Sequence, residues 1–282
     1  MQKVAVVTGA SRGAGKGIAI ALGAAGMTVY VTGRSLKGSD TPWGGTIGET
    51  ADAVTSAGGR GIAVEVDHGD DDAVAALFER VKTDHGRLDI LVNNAAKLGA
   101  STTAQGGFWQ KPLDAVDLID VGLRSHFVAS WHAAPLLIAN GRGLIVNTGH
   151  YGAVCYFHGP AYGAQKAGAD KMAADMAKEL RSHNVAAVSV WMGGLDTERA
   201  RAWLATLSET ERHELKRESP QFTGRVISAL YASERMMDLS GRALIGAELG
   251  AHLGVTDIDG SIPVSWRYSL GGPPELHRTL AN

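Results

Sequence analysis

Cysteine is nearly missing from this chain: Cys155 is the only one among 282 residues. An internal disulfide is therefore excluded, which suits a reducing compartment. An excess of charge of either sign is missing too. The formal net charge is −2, so no basic footprint points to nucleic acid. No apolar run reaches the roughly 18 residues of a membrane-spanning helix. Met1-Gln2-Lys3-Val4 lead straight into an apolar strand pattern with no secretory signal, so a cytoplasmic protein is expected. Metal-ligand spacing is also lacking. His126 and His132 stand six apart on a helical pattern, not the four-residue spacing of a paired site.

What remains is a chain with 45% hydrophobic residues and 37 glycines, a composition that suits one large folded domain. Lys3 to Thr8 forms a short, wholly apolar run, as expected of a parallel strand covered on both faces. Gly9-Ala10-Ser11-Arg12-Gly13-Ala14-Gly15-Lys16-Gly17 follows, then a helical pattern from about Ile18 to Ala25. A Gly-rich turn between a strand and a helix lets backbone N–H groups and the helix dipole meet a pyrophosphate. Gly9 is expected to make the tight turn, Gly13 to let the backbone approach phosphate, and Gly15 to let helix and strand pack closely.

The second strand, Thr28 to Thr32, ends in Gly33-Arg34-Ser35. An acidic residue here would bind the ribose 2′-hydroxyl of NAD. Arg34 stands there instead, with Arg12 in the glycine loop, and two guanidiniums suit the 2′-phosphate of NADP. Residues 36–46 form a long loop with Gly and Pro beside the presumed adenosine site; it could clamp that site, but a mobile excursion without chemistry is the expected reading. Thr46 and Glu49 form a capping-box pattern that opens the next helix.

Further strands are expected over Gly61–Val66, Leu88–Val92, Gly143–Thr148 and Val185–Trp191, with a possible seventh at Ala243–Ile245. Their carboxyl ends carry Asp67, Asn93-Asn94-Ala95, Thr148 and Gly193…Thr197, where ligands of such sheets bind. Asp70-Asp71-Asp72 favour the dipole at the start of a helix. A continuous helix is expected from Leu113 to about Asn140, with Gly122 marking a kink or a close contact. Strand and helix alternate throughout, so the chain reads as one doubly wound α/β domain over residues 1–282. The loop at about 36–46 is an insertion in it, and residues from about 250 form a C-terminal extension.

Tyr162 and Lys166 lie four apart at the start of a helical pattern and so share a face. A phenol titrates near 10, and bringing it to about 7 takes roughly 4 kcal/mol of differential interaction. A neighbouring ammonium acts in that direction, and the tuned phenol could then exchange a proton with a carbonyl or alcohol oxygen. Tyr-x-x-x-Lys alone is an ordinary surface pair. Its neighbours make it informative.

Together these residues resemble the short-chain dehydrogenase/reductase family. The matching elements are Thr8-Gly9-x-x-x-Gly13-x-Gly15, Asp67, Asn93-Asn94-Ala95, Tyr162-x-x-x-Lys166 and Gly193…Thr197, in family order over nearly the whole chain. Segments such as Val121–Phe127, Lys171–Asp175 and Asp257–Gly260 are similar to its dehydrogenase/reductase member 1-like branch. The resemblance implies a Rossmann-type parallel sheet of about seven strands and hydride transfer between NADP(H) and a ketone, aldehyde or secondary alcohol. It implies Tyr162 as proton donor and acceptor, with Lys166 holding the nicotinamide ribose. Gly9, Ser11, Arg12, Gly13, Gly15, Arg34, Asp67, Asn93, Ala95, Gly193 and Thr197 would bind the cofactor. It also implies a homodimer or homotetramer through helices at about 113–139 and 162–182.

Three positions depart from the family pattern. The asparagine of the long helix falls at Gly122. The proline usual before Gly193 is Met192. The catalytic serine falls at Gly149 or, preferably, His150, and no serine occurs between Ser130 and Ser182. Losing one oxyanion donor costs about 10²–10³ in rate. A neutral imidazole can serve as that donor, so His150 is a catalytic candidate, with Thr148 or Tyr151 as helpers. The alternative is a catalytically weakened NADP(H)-binding protein, a sensor or subunit. Trp109, Tyr156, Phe157 and Trp203 suggest a partly apolar pocket.

Overall fold

The computed structural model describes residues 2–40, 42–102 and 104–276. Seven parallel strands form one sheet in the order β3-β2-β1-β4-β5-β6-β7. They are β1 (Val4–Val7), β2 (Thr28–Gly33), β3 (Arg60–Glu65), β4 (Ile90–Asn93), β5 (Gly143–Gly149), β6 (Val185–Trp191) and β7 (Ala243–Ile245). The central strands β1, β2, β4, β5 and β6 are buried along their whole length. This explains why they show as unbroken apolar runs: with helices on both faces, no strand position meets water.

One face is covered by α1 (Gly13–Ala24), α2 (Ile47–Ser56) and α9 (Pro220–Ala232), packed around Ile18, Leu22, Val54, Phe222 and Val226. The other is covered by α3 (Asp71–His85), α5 (Ser125–Ala139) and α6 (Pro160–Leu180), around Leu77, Phe78, Leu137 and Leu180. The capping box opens α2, with Thr46 Oγ1 accepting from the Glu49 N–H and the Glu49 carboxylate accepting from the Thr46 N–H, both at 3.0 Å. Asp70 caps α3 by accepting from the N–H groups of Asp72 and Ala73.

The expected continuous helix from Leu113 to Asn140 is broken. A 3₁₀ turn, Leu113–Val116, leads to α4 (Asp117–Ile119), a π turn over Asp120–Arg124, and only then α5. Gly122 sits inside the π turn and buries its Cα against Gln165 of α6: an added Cβ would stand 3.0 Å from Gln165 Cγ. The Gln165 amide nitrogen donates to the Gly122 carbonyl at 2.9 Å. The bulge therefore has a local cause, a helix that widens to receive a neighbouring side chain.

Beyond β6 come α7 (Glu198–Leu204) and α8 (Glu209–Glu214). After β7 come α10 (Gly246–His252) and α11 (Arg267–Leu270). The C-terminal extension from about 250 is partly packed on the domain, while the tail over residues 271–276, expected at the surface, is exposed or half-buried. Trp266 and Leu270 lie against Tyr151 and Trp191, and the Trp266 N–H donates to the Tyr151 hydroxyl at 3.0 Å. The last residues of that extension, 277–282, fall outside the described residues.

Candidate active site

Strand order reverses between β1 and β4, and the carboxyl ends of the strands there open into a cleft of about 550 Å³. Of the residues singled out in the sequence, Gly9, Ser11, Arg12, Gly13, Gly15, Arg34, Asp67, Ala95, Tyr162, Lys166 and Thr197 line it. Three do not. Asn93 is wholly buried behind the cleft, donating to Ser130 Oγ at 2.9 Å and Asn147 Oδ1 at 3.0 Å. Gly193 gives its N–H to the Glu218 carboxyl at 3.1 Å. His150 stands beside Tyr162.

The glycine loop is held from below by β4. Thr8 Oγ1 accepts from the N–H groups of Asn94 (2.8 Å) and Ala95 (2.9 Å), and the Asn94 amide donates to the carbonyls of Thr8 and Gly9. Gly9 has φ +64°, and a Cβ there would stand 2.7 Å from Ala95 Cα. At Gly15 an added Cβ would stand 2.4 Å from the Gly9 carbonyl oxygen. Only a bare backbone fits, and it presents the start of α1 to the cleft, the form a pyrophosphate needs. The residues present therefore fit a dinucleotide. One contact was not legible in the sequence: the Gly13 N–H donates to the Glu198 carboxylate at 3.0 Å.

The described end of the 36–46 loop, residues 42–46, lies against the glycine turn. Arg12 donates to the carbonyls of Gly44 at 2.7 Å and Gly45 at 3.2 Å, drawing the loop onto the glycine turn. Pro42 and Trp43 thereby line the cleft, and the Arg199 guanidinium lies 5.7 Å from the Trp43 ring centre. Arg34 is an exposed neighbour of Asp67 at 3.5 Å.

At the other end of the cleft, Tyr162 and Lys166 share the inner face of α6. Lys166 Nζ donates to the Thr148 carbonyl at 2.9 Å and stands over the Tyr162 ring, 5.6 Å from its centre. Burial pushes the Lys166 ammonium down to about 8, against the opposing field of Asp170. The Tyr162 phenol moves opposite to the expected direction: burial raises it, and Cys155 adds to the rise. The phenol loses more hydration than an ammonium over its ring face returns, so Tyr162 is fully protonated at neutral pH.

The two candidates for the place of the serine are separated by space. A Cβ at Gly149 would stand 2.3 Å from Trp191 Cδ1 and 2.5 Å from Ser189 Oγ. Position 149 therefore faces β6 and admits no side chain, while position 150 faces the tyrosine. The His150 ring lies 5.6 Å from that of Tyr162 and 4.6 Å from that of Phe157. Its Nδ1 accepts the Gly152 N–H at 3.0 Å. Burial, aided by Lys166 and His158, pushes the imidazole down to about 3. The ring is neutral near pH 7, and with Nδ1 accepting, its proton is on Nε2. His150 is thus a standing N–H donor beside Tyr162.

The suggested helpers are engaged elsewhere. The Thr148 hydroxyl donates to the Asn93 carbonyl at 3.3 Å, and that of Tyr151 accepts from Trp266. Among the four aromatics, only Phe157 packs on Tyr162, with ring centres 6.0 Å apart. Trp109, Tyr156 and Trp203 are exposed. His158 contributes instead, edge-on to Tyr162 at 5.2 Å.

A family model described as short chain dehydrogenase matches residues 3–208. The chain is 39% identical over 281 residues to the mouse protein named dehydrogenase/reductase SDR family member 1, covering 95% of this chain and 87% of that one. The human protein of the same name is 38% identical over 271 residues, covering 92% and 84%. The crystal structure of a short chain dehydrogenase from Mycobacterium thermoresistibile superposes with a TM-score of 0.77 at 22% identity, over 96% of this chain and 97% of the other, a likeness of fold.

Proposed function

The chain belongs to the short-chain dehydrogenase family, and on that premise we propose that it is an NADP(H)-dependent oxidoreductase of ketones, aldehydes or secondary alcohols. The observation that carries the reading is the pairing of a protonated, buried Tyr162 with Lys166 at one end of a cleft whose other end is a bare glycine turn. When bound, NADP(H) would supply or accept the hydride.

The chain's own residues do the rest. The turn at Gly9, Gly13 and Gly15, with the first N–H groups of α1, holds the pyrophosphate. Arg34, with Arg12 and Ser35 beneath the loop, favours a 2′-phosphate over a bare ribose. Lys166 holds the nicotinamide ribose, and Thr197 caps the helix beside it, its hydroxyl accepting from the Ala200 N–H at 3.2 Å. Tyr162 gives its proton to the substrate oxygen. His150 donates from Nε2 to the same oxygen and so stands in for a hydroxyl donor. We place the enzyme in the cytoplasm, as a homodimer or homotetramer with Phe127 and Trp131, exposed on α5, toward a second copy.

Titration with NADPH and NADH, followed by nicotinamide fluorescence, tests the reading, with a carbonyl panel added to the tighter binder. Preference for NADPH of at least about tenfold is expected, with oxidation of at least one carbonyl. Equal or weaker NADPH binding would remove the role of Arg34. Tight binding without turnover on any carbonyl would favour the sensor.

Glu198 leads to a second expectation. Its carboxylate holds the Gly13 N–H, so a pyrophosphate must displace an anion already at the N-terminus of α1. Such charges are worth about 1 kcal/mol there. Glu198→Gln is expected to tighten NADPH binding about fivefold. Weaker binding in the same titration would show that Glu198 supports the site and does not compete for it.

A further inference from the structure

Tyr162 and Lys166 are the first two members of a series. Asp170 stands one further turn along α6, on the same face. Its two carboxylate oxygens each accept the Trp191 indole N–H at 3.0 Å, and the Ser189 hydroxyl also faces it. Trp191 is wholly buried at the end of β6, so the carboxylate is anchored to the sheet and not to solvent.

The groups that face Lys166 can be named element by element. On α6 they are Tyr162 and Asp170; from the end of β5 comes the neutral His150; from α5 comes the neutral, buried His126. Asp170 is the only carboxyl group in that set. A buried ammonium without a counter-charge loses its proton, and Lys166 is 7% exposed. The Thr148 carbonyl supplies one hydrogen bond but no net charge.

We propose that Asp170 is a positioning residue for the reaction, acting through Lys166: anchored by Trp191, its carboxylate keeps Lys166 charged beneath Tyr162. The inference deepens the oxidoreductase reading, on which its catalytic meaning rests. Burial pushes Asp170 up to about 6 while its hydrogen bonds and Lys166 oppose the rise, so the carboxylate is mostly ionised at neutral pH. The pair is legible in the sequence as Lys-x-x-x-Asp, the spacing that links neighbours on a helix face.

The test is the Lys166 titration itself, read by ¹³C NMR of full-length protein grown with lysine labelled at Cε, the resonance assigned by its loss in Lys166→Arg. Asp170→Asn keeps an acceptor for the indole and removes the charge. Lys166 is expected to titrate about one pH unit lower in this variant. Turnover of a carbonyl found in the panel should lose its alkaline limb by the same amount. Trp191→Phe leaves the carboxyl but frees it, and a smaller shift in the same direction is expected, which covers the case that Asp170→Asn fails to fold. A Lys166 titration unmoved in either folded variant overturns the proposal. The NMR readout stands even if no carbonyl is turned over, so failure of the oxidoreductase reading is told apart from failure of the role of Asp170.

Discussion

Tyr162→Phe is expected to lower carbonyl turnover about 10²–10⁴-fold, the usual worth of a positioned proton donor, while NADPH binding changes less than about twofold. The substitution removes one oxygen and keeps the ring. That ring fills space which Gly152 leaves open: a Cβ at Gly152 would stand 2.6 Å from Tyr162 Cε1. Phenylalanine retains this packing, so loss of rate cannot be assigned to misfolding, and an unchanged melting temperature would show it. Burial raises the phenol above its ordinary value, which adds a directional expectation. Reduction has its proton in place at neutral pH. Oxidation of an alcohol needs the phenolate, so its rate should climb with pH beyond the ordinary tyrosine range of about 10. A variant that keeps turnover within tenfold of the native chain would remove Tyr162 from the chemistry.

His150→Ala is expected to cost about 10²–10³ in kcat, the price of one oxyanion donor, with little change in cofactor binding. The informative companion is His150→Phe. It keeps an aromatic ring against Phe157 and Tyr162 and deletes the N–H. Equal losses in both variants would identify the donor as the active feature. Native turnover in His150→Phe would make the imidazole a packing residue. If instead the native chain is silent and His150→Ser turns carbonyls over, the weakened, cofactor-sensing reading gains. The neutral state of His150 sharpens the expectation: its pKa near 3 means that kcat should show no histidine limb between about pH 5 and 8.

The five central strands were legible because each is buried on both faces and so appears as an apolar run; the edge strands β3 and β7 are partly exposed, and across the sheet only the limits moved by a residue or two. The glycine turn was legible because part of its constraint is local: Gly9 takes φ +64° and Gly15 packs on the Gly9 carbonyl of the same βα unit, though Ala95 and Asn94 press on the turn from β4. The long helix was misjudged because periodicity cannot show a π turn whose cause, Gln165, lies 43 residues away. Distance also hid the bracing contact of the Asn94 amide, which reaches Gly9 across 85 residues, and Glu198, which meets Gly13 across 185. The direction of the Tyr162 shift was missed because spacing reports a neighbour's charge and says nothing of how much water the phenol loses. The opposite case is Asp170. Its spacing from Lys166 was in plain view, but its indole anchor arrives from another strand.

Gly122 and Gln165 have a consequence for anyone redesigning this enzyme. The two helices share one socket, and the glutamine already occupies it: an added Cβ at 122 would stand 3.0 Å from its Cγ and 3.2 Å from its Cδ. Writing asparagine back at 122 would not restore a missing part; it would press two amides into room for one. A side chain can be added at 122 only where that of Gln165 gives way, so the two positions are redesigned together.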